Sequence, residues 1–432
     1  MIGAWIAATL AYVKDPLAAH QRLRARHGDP FPTFMGPARI TVTARPDGIA
    51  AIFGAPATTF APSALRLGEL VGQQSVLALE GPAHTAIRRT LNAVLLERRS
   101  TASAPVIADI ARRHIASSPR DRPIVALPLL ARISLEVIIR VVIGVGDPAR
   151  VEAFAQAFES LTRSASMLLV VVPALRRDLG RWSPGGRFNR ARRRLHDMLR
   201  EEIAAVRAGA AAATRPDALA ALVLRNSTPQ LDDGAIIDNL FAVLNAGHMS
   251  TAAALAWALH WTWSTAGVLD TLRSELAAFA AHGDPEDALR SPYLEAICRE
   301  TLRIRPVAPM VARDLALPLD VAGQCLRPGT AVAASIDLAH HDPMIFPDPE
   351  RFDPLRFLGP RHTATQYLPF GGGHRRCLGA WLAMDEMRIV LAVLATGPRL
   401  HLVSRTTPKR RFSGALLIPA GGIKLRVETE AA

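Results

Sequence analysis

Lysine is almost missing from this 432-residue chain: of its 51 basic side chains only Lys14, Lys409 and Lys424 are lysines, and the rest are arginine. Set against 38 acidic residues, this leaves a formal charge of +13, which ordinarily raises the question of nucleic acid or an anionic membrane. Scarce lysine beside abundant alanine reads instead as the bias of a GC-rich genome, so no nucleic-acid partner is expected. Cysteine is equally sparse. Cys298, Cys325 and Cys377 lie far apart with no C-x-x-C pair, which excludes a disulfide framework and a zinc ribbon and suits a reducing, cytoplasmic setting. The apolar opening Met1 to Val13 has no basic residue before it and meets Lys14 well short of the ~20 residues a bilayer span needs. A docking helix is expected there, with no signal peptide and no transmembrane anchor. No internal repeat is present, and no G-x-G-x-x-G follows a strand, so the chain carries no dinucleotide fingerprint.

What is present is a large hydrophobic inventory, half of all residues, ample for a sizeable core. Ile40 to Thr43 reads as a strand, Pro46 to Gly54 as a short helix opened by proline, and Gly81 to Arg99 as a helix opening Gly-Pro. From there to about residue 310 the segments Leu130 to Val145, Val151 to Val172, Arg187 to Arg207 and Asp232 to Thr265 lack strand alternation and predict a helical body. Arg187 to Arg207, with seven arginines, is expected to be a solvated helix face. Pro173 to Gly186 and Ala208 to Asp217 read as surface connections. After residue 310 come short β-like pieces at Leu319 to Val321, Gln324 to Leu326, Ala331 to Ala334, Leu416 to Ile418 and Ile423 to Val427. Between them Asp342 to Phe357, with four prolines, predicts an irregular meander. The expected fold class is mainly α with small β-sheets, in one domain over 1–432.

The most informative window is Phe370-Gly-Gly-Gly-His-Arg-Arg-Cys377-Leu-Gly379-Ala, where a glycine run delivers one cysteine to the start of an apolar helix. Helix N–H groups together with Arg375, Arg376 and His374 favour a thiolate there. Gly379, having no side chain, admits close approach of a flat group. A buried structural cysteine would fit the same pattern equally well. All five fixed positions of F-x-x-G-x-R-x-C-x-G are nevertheless met by Phe370, Gly373, Arg375, Cys377 and Gly379. In this the chain resembles the cytochrome P-450 family, over about residues 15 to 428. The resemblance implies haem b between the long central helix and the cysteine-loop helix, with Cys377 as axial thiolate.

The same resemblance gives roles to further residues. Glu300-x-x-Arg303 and Arg351 of the meander would form a buried structural triad. His84 and Arg88, four apart, with Arg313 and Arg375, would hold the haem propionates, and Phe370 would pack over the sulfur. Asn245-Ala246-Gly247-His248-Met249-Ser250 matches the family's oxygen-activating stretch, with Ala246 and Gly247 close to the cofactor. Met249 stands where the family places an acid, which leaves proton delivery to Ser250, water and Asn245. Substrate contacts are implied at Ser63 to Val76, Ser164 to Leu175, Asn239 to Gly247, Val307 to Val311 and Phe412 to Leu416, mainly apolar segments suited to a terpenoid, steroid, fatty-acyl or polyketide skeleton. Electrons would come from an external ferredoxin or flavodoxin with its NAD(P)H reductase, steered to a monomer by Arg88, Arg89, Arg98, Arg99, His374 and Arg376. The competing expectations are a peroxygenase or isomerase that keeps the haem, a haem-binding sensor, and an arginine-rich nucleic-acid binder.

Overall fold

The computed structural model describes residues 2–36, 38–62, 68–97, 103–165, 169, 172–209, 217–224 and 231–428. They fall into two compact units. The first comprises 1–61, 111–131 and 250–432, and the second 62–110 and 132–249. The partition is therefore interleaved along the chain, whereas the sequence pattern suggests one change of texture near residue 310.

Every strand among the described residues belongs to the first unit. Its main sheet runs in the order Phe31–Met35, Ala38–Thr43, Ala331–Ser335, Met310–Leu315, Phe60–Ala61. Phe31 lies opposite Val42 in an antiparallel pair, Ile40 lies beside Ala331 in a parallel one, and Arg313 is opposite Val332. The central strand is buried along its whole length, which explains why it is built of alanine and valine rather than alternating residues. Phe31, Val42, Ile49, Val332, Ile336 and Leu368 form the core on this sheet. The expected strand at 40–43 is present and begins two residues earlier, and the one at 331–334 is present and runs one residue further, whereas Phe31–Met35 has no legible alternation because Pro32 interrupts it. Of the meander, Pro354–Phe357 forms one 3-10 turn.

The second unit is helical among its described residues. Pro148–Ser164 packs along Pro184–Ala208, and Ala218–Leu224 packs on Gly81–Glu97. Each long helix starts where capping chemistry allows: Asp147 accepts from Arg150 N at 2.9 Å, and Ser183 from Gly186 N at 3.0 Å. Arg187, Arg190, Arg193, Arg194, Arg200 and Arg207 are exposed, while Arg192 is only partly so. Helix Ala126–Val137 widens into a π turn, Ile138–Ile143, closed by Gly144 at φ +81°. Arg98, Arg99 and 210–216 of the expected elements lie outside the described residues.

Asp233–Ser264, 32 residues, begins in the second unit and ends in the first. It alone among the described helices is long and apolar enough to cross a membrane, and 67% of its apolar window is buried in the protein. The opening helix Ile2–Lys14 leaves Ile6, Leu10 and Val13 exposed and buries Tyr12.

Several histidines are held neutral inside the first unit. Burial pushes His20 and His260 from 6.5 down to about 4, and His340 well below its ordinary value. Below pH 6.5 the unfolded chain binds protons at these positions and the folded chain does not, so stability rises with pH across this range and is lost as pH falls from about 6.5 toward 4. Urea midpoints measured at pH 7, 6 and 5 are expected to fall progressively; equal midpoints would show that these rings are protonated in the folded state.

Candidate active site

The cysteine loop is shaped by one phenylalanine. A Cβ on Gly372 would meet the Phe53 ring at 2.2 Å, and one on Gly373 would meet the Phe53 carbonyl oxygen at 2.5 Å, so neither position accepts a side chain. Gly371 and Gly373 also lie at φ +64° and +65°, the left-handed region that glycine enters without strain. The chain then makes one 3-10 turn, Gly373–Arg375, and Cys377 N–H donates to the Phe370 carbonyl at 2.9 Å. Helix Ala380–Thr396 begins three residues later, with Gly379 as its N-cap. Cys377 is exposed, and a Cβ on Gly379 would meet no heavy atom within 4 Å. The His374 ring packs on Phe60, centroids 5.4 Å apart.

The other cysteines differ. Cys298 is fully buried, and burial pushes its thiol up to about 12, which keeps it protonated and inert. Cys325 sits exposed on the hairpin formed by Leu319–Val321 and Gln324–Leu326. No group of three or more His, Cys, Asp or Glu residues able to hold a metal exists among the described residues.

Behind the loop lies a buried ion pair. Glu300 and Arg303, both with no exposed surface, face each other one helical turn apart: Arg303 Nε donates to Oε2 at 2.7 Å, and its terminal nitrogen donates to Oε1 at 2.8 Å. Burial pushes the Glu300 carboxyl above its ordinary range, and the Arg303 fork acts against that shift. The fork's third bond reaches the His340 carbonyl at 2.9 Å. His340 Nε2 in turn accepts from Leu368 N–H at 2.9 Å, and the Leu368 carbonyl accepts from Gly371 N–H at 2.9 Å. A neutral His340 is required here, because only an unprotonated Nε2 accepts. The ion pair is thus connected to the cysteine loop through two residues that no motif spacing reveals, His340 and Leu368.

The third member of the triad is corrected. Arg351 does not reach Glu300: its side chain is 63% exposed and pairs with Asp353 at 2.8 Å. What it contributes is its backbone carbonyl, which accepts from Arg303 at 3.2 Å. The guanidinium near the carboxylate is that of Arg356, whose Nε stands 3.5 Å from Glu300 Oε1 and whose terminal nitrogen donates to the Asp348 carbonyl at 3.1 Å. The Asp353 N–H completes the cage on Glu300 at 2.9 Å. The 3-10 turn Pro354–Phe357 is what brings Arg356 back; a reading by motif stops one turn too early.

Arg313 and Arg375 are both partly buried in the first unit, the former with one nitrogen on the Ala312 carbonyl at 2.8 Å. In the second unit His84 is buried and Arg88 partly buried, on one face of Gly81–Glu97. Ala246 is exposed on the long helix, and Asn245, Met249 and Ser250 are partly exposed. Gly247 has a local reason to be glycine, since a Cβ there would lie 2.7 Å from Ile138 Cδ1 in the π turn. His248 turns inward, Nδ1 3.0 Å from the Leu244 carbonyl and its ring edge-on to Phe158.

Of the segments expected to contact substrate, Val307 and the strand Leu416–Pro419 are joined by Leu417 N–H on the Val307 carbonyl at 2.8 Å. Asn239 joins two others: its side chain accepts from Val76 N–H at 2.8 Å and donates to the Gln74 carbonyl at 3.1 Å. Residues 63–67, 166–168 and 170–171 of those segments lie outside the described residues. Arg89 and Arg376 are exposed.

Residues 3–427 match the family model described as Cytochrome P450. A Mycobacterium tuberculosis relative bearing the name cytochrome P450 135B1 is 36% identical over 388 residues, covering 86% of this chain and 79% of its own. A Mycobacterium bovis relative named cytochrome P450 138 is 30% identical over 421 residues, covering 96% and 92%. Among solved structures, retinoic acid bound cyanobacterial CYP120A1 aligns with a TM-score of 0.81 at 21% identity, covering 97% of this chain and 96% of its own.

The two arginines of the meander are separable by stability. Arg356→Ala removes a nearly buried cation from Glu300 and should cost about 1–3 kcal/mol, whereas Arg351→Ala removes an exposed pair and should cost under about 1 kcal/mol. Urea unfolding of both variants decides between them; the reverse order would restore Arg351 as the third side chain of the triad.

Proposed function

The chain belongs to the cytochrome P450 family, haem-thiolate monooxygenases, and on that premise we propose that it oxygenates an apolar small molecule of terpenoid, steroid, fatty-acyl or polyketide type with electrons from a separate ferredoxin or flavodoxin. The carrying observation is the exposed Cys377 thiol at a helix mouth, fixed by its own N–H and fronted by a glycine. The donor set fits haem: one soft ligand for the iron, arginines for the two propionate carboxylates, and open space at Gly379 beside the ligand. Cys377 would hold the iron as thiolate, with Phe370 beside the sulfur, and Arg313 and Arg375 would hold propionates. His84, Arg88, Ala246 and Gly247 are the second unit's proposed cofactor residues. Haem supplies oxygen activation, which its thiolate ligand promotes by donating electron density.

The protein's own part is to hold the sulfur still and to manage protons. Arg303, His340 and Leu368 do the first. For the second, Met249 carries no transferable proton, so Ser250 Oγ is the proposed donor and acceptor, with Asn245 as the neighbouring polar group. A serine hydroxyl inside a helix can also bond back to a carbonyl of the preceding turn and loosen the helix for water.

Cys377→Ala tests the ligand. The dithionite-reduced wild type under carbon monoxide should show the strongly red-shifted Soret band of thiolate ligation, and the variant should lack it; an unchanged spectrum would remove Cys377 as ligand. Ser250→Ala tests the proton route separately. Product formed per NAD(P)H consumed should fall several-fold while peroxide release rises. Unchanged coupling would exclude Ser250. The absent acid at Met249 favours one second reading, turnover driven by peroxide, which product formation with peroxide alone and no reductase would establish.

A further inference from the structure

The second unit contains a cleft of about 780 Å³ whose lining is unlike the apolar pocket the proposed substrate needs. Its walls are the turn around Glu69 to Gln74, the segment Ala174 to Arg177, one side of helix Pro184–Ala208, and Asp238. Of these residues only Leu70, Ala174 and Phe188 are apolar among side chains larger than glycine. Three guanidinium groups meet two carboxylates here, so the cleft carries a net positive charge.

The charges are unevenly spent. Arg176 is committed to Glu69, 2.8 Å away, and to the Leu169 carbonyl at 2.7 Å. Asp238 is engaged by Gln74 N–H at 2.9 Å, and it fills the space that any side chain at Gly72 would need. Arg192 donates to the Glu69 backbone carbonyl at 2.8 Å and lies over the Phe188 ring, with the Asp238 charge favouring its protonated form. Neither Arg192 nor Arg177 has a carboxylate within ion-pair distance among the described residues. Beside them His196 carries a buried Nε2 with no hydrogen-bond partner. Burial and the neighbouring Arg192 press this imidazole down to about 4, so at neutral pH it is an uncharged donor or acceptor as its tautomer dictates. Exposed Arg187, Arg190, Arg193 and Arg194 on the same helix add to the positive field.

We propose that this cleft binds a small organic anion whose carboxylate or phosphate oxygens take hydrogen bonds from Arg192 and Arg177. Its volume lies in the range of small-molecule sites and exceeds the need of a bare inorganic ion. The cleft takes residues within 68–74 and Ala174 from two of the segments implied to contact substrate, and none of its residues is a proposed cofactor residue.

The test uses the haem-loaded full chain and isothermal calorimetry with citrate, glucose 6-phosphate, inorganic phosphate and, as the neutral control, glucose. Citrate binding alone identifies a carboxylate ligand, and glucose 6-phosphate binding alone identifies a phosphate ester. The anion that binds should leave the Soret band unmoved, and its affinity should fall tenfold or more in Arg192→Gln and measurably in the exposed Arg177→Gln, which guards against misfolding of the first variant. The proposal is overturned if neither organic anion binds, if inorganic phosphate binds as tightly as both, if glucose binds equally, or if both variants keep the wild-type affinity.

Discussion

One backbone hydrogen bond, from the Cys377 N–H to the Phe370 carbonyl, sets the direction of the thiol, and much of the first unit serves to keep that bond in place. A loop of three consecutive glycines has little conformational preference of its own. Its shape is imposed from two sides. Phe53 occupies the space where side chains would be, and the Leu368 amide is anchored on His340, whose carbonyl is anchored on the buried Arg303. Breaking such a pair by removing one partner leaves an uncompensated charge inside the protein, at about 3–5 kcal/mol. The ion pair is therefore less a source of net stability than a fixed point from which the loop is measured.

The parts of this arrangement that were legible in the sequence are those carried by residue identity at short spacing. The cysteine window, the Glu300 to Arg303 spacing and the long helix all read directly, because each is local: a helical turn or a tight turn decides which residues meet. Contacts made by chain returning from a distance did not read. Phe53 lies more than three hundred residues from the glycines it shapes, and nothing in Pro46–Gly54 marks it. Arg356 was missed for a subtler reason, since Arg351 has the expected spacing and Arg356 reaches Glu300 only through a 3-10 turn. Gly247 shows the converse: the sequence places a glycine where a flat group would need it, while Ile138 in the second unit already requires it.

The two units differ in how they are held. The first combines sheet, meander and buried ionic groups, with neutral histidines distributed through its interior. The second depends on helix packing, Phe154, Phe158 and Leu161 of one helix and Leu195, Leu199 and Ile203 of another, laced at its surface by Arg150 on Glu201 and Glu202. Asn239 and Asp238 add a different kind of restraint there, fastening the irregular segment 74–76 to the start of the long helix through side chain to backbone bonds.

The fit of Phe53 into the glycine run also bears on how such a protein can diverge. Position 53 and positions 372 and 373 form a single lock, so a bulkier loop is admissible only after the aromatic ring has been lost and the carbonyl behind it displaced. Neighbouring lineages that vary the loop should accordingly carry a matching change in a helix remote from it in sequence.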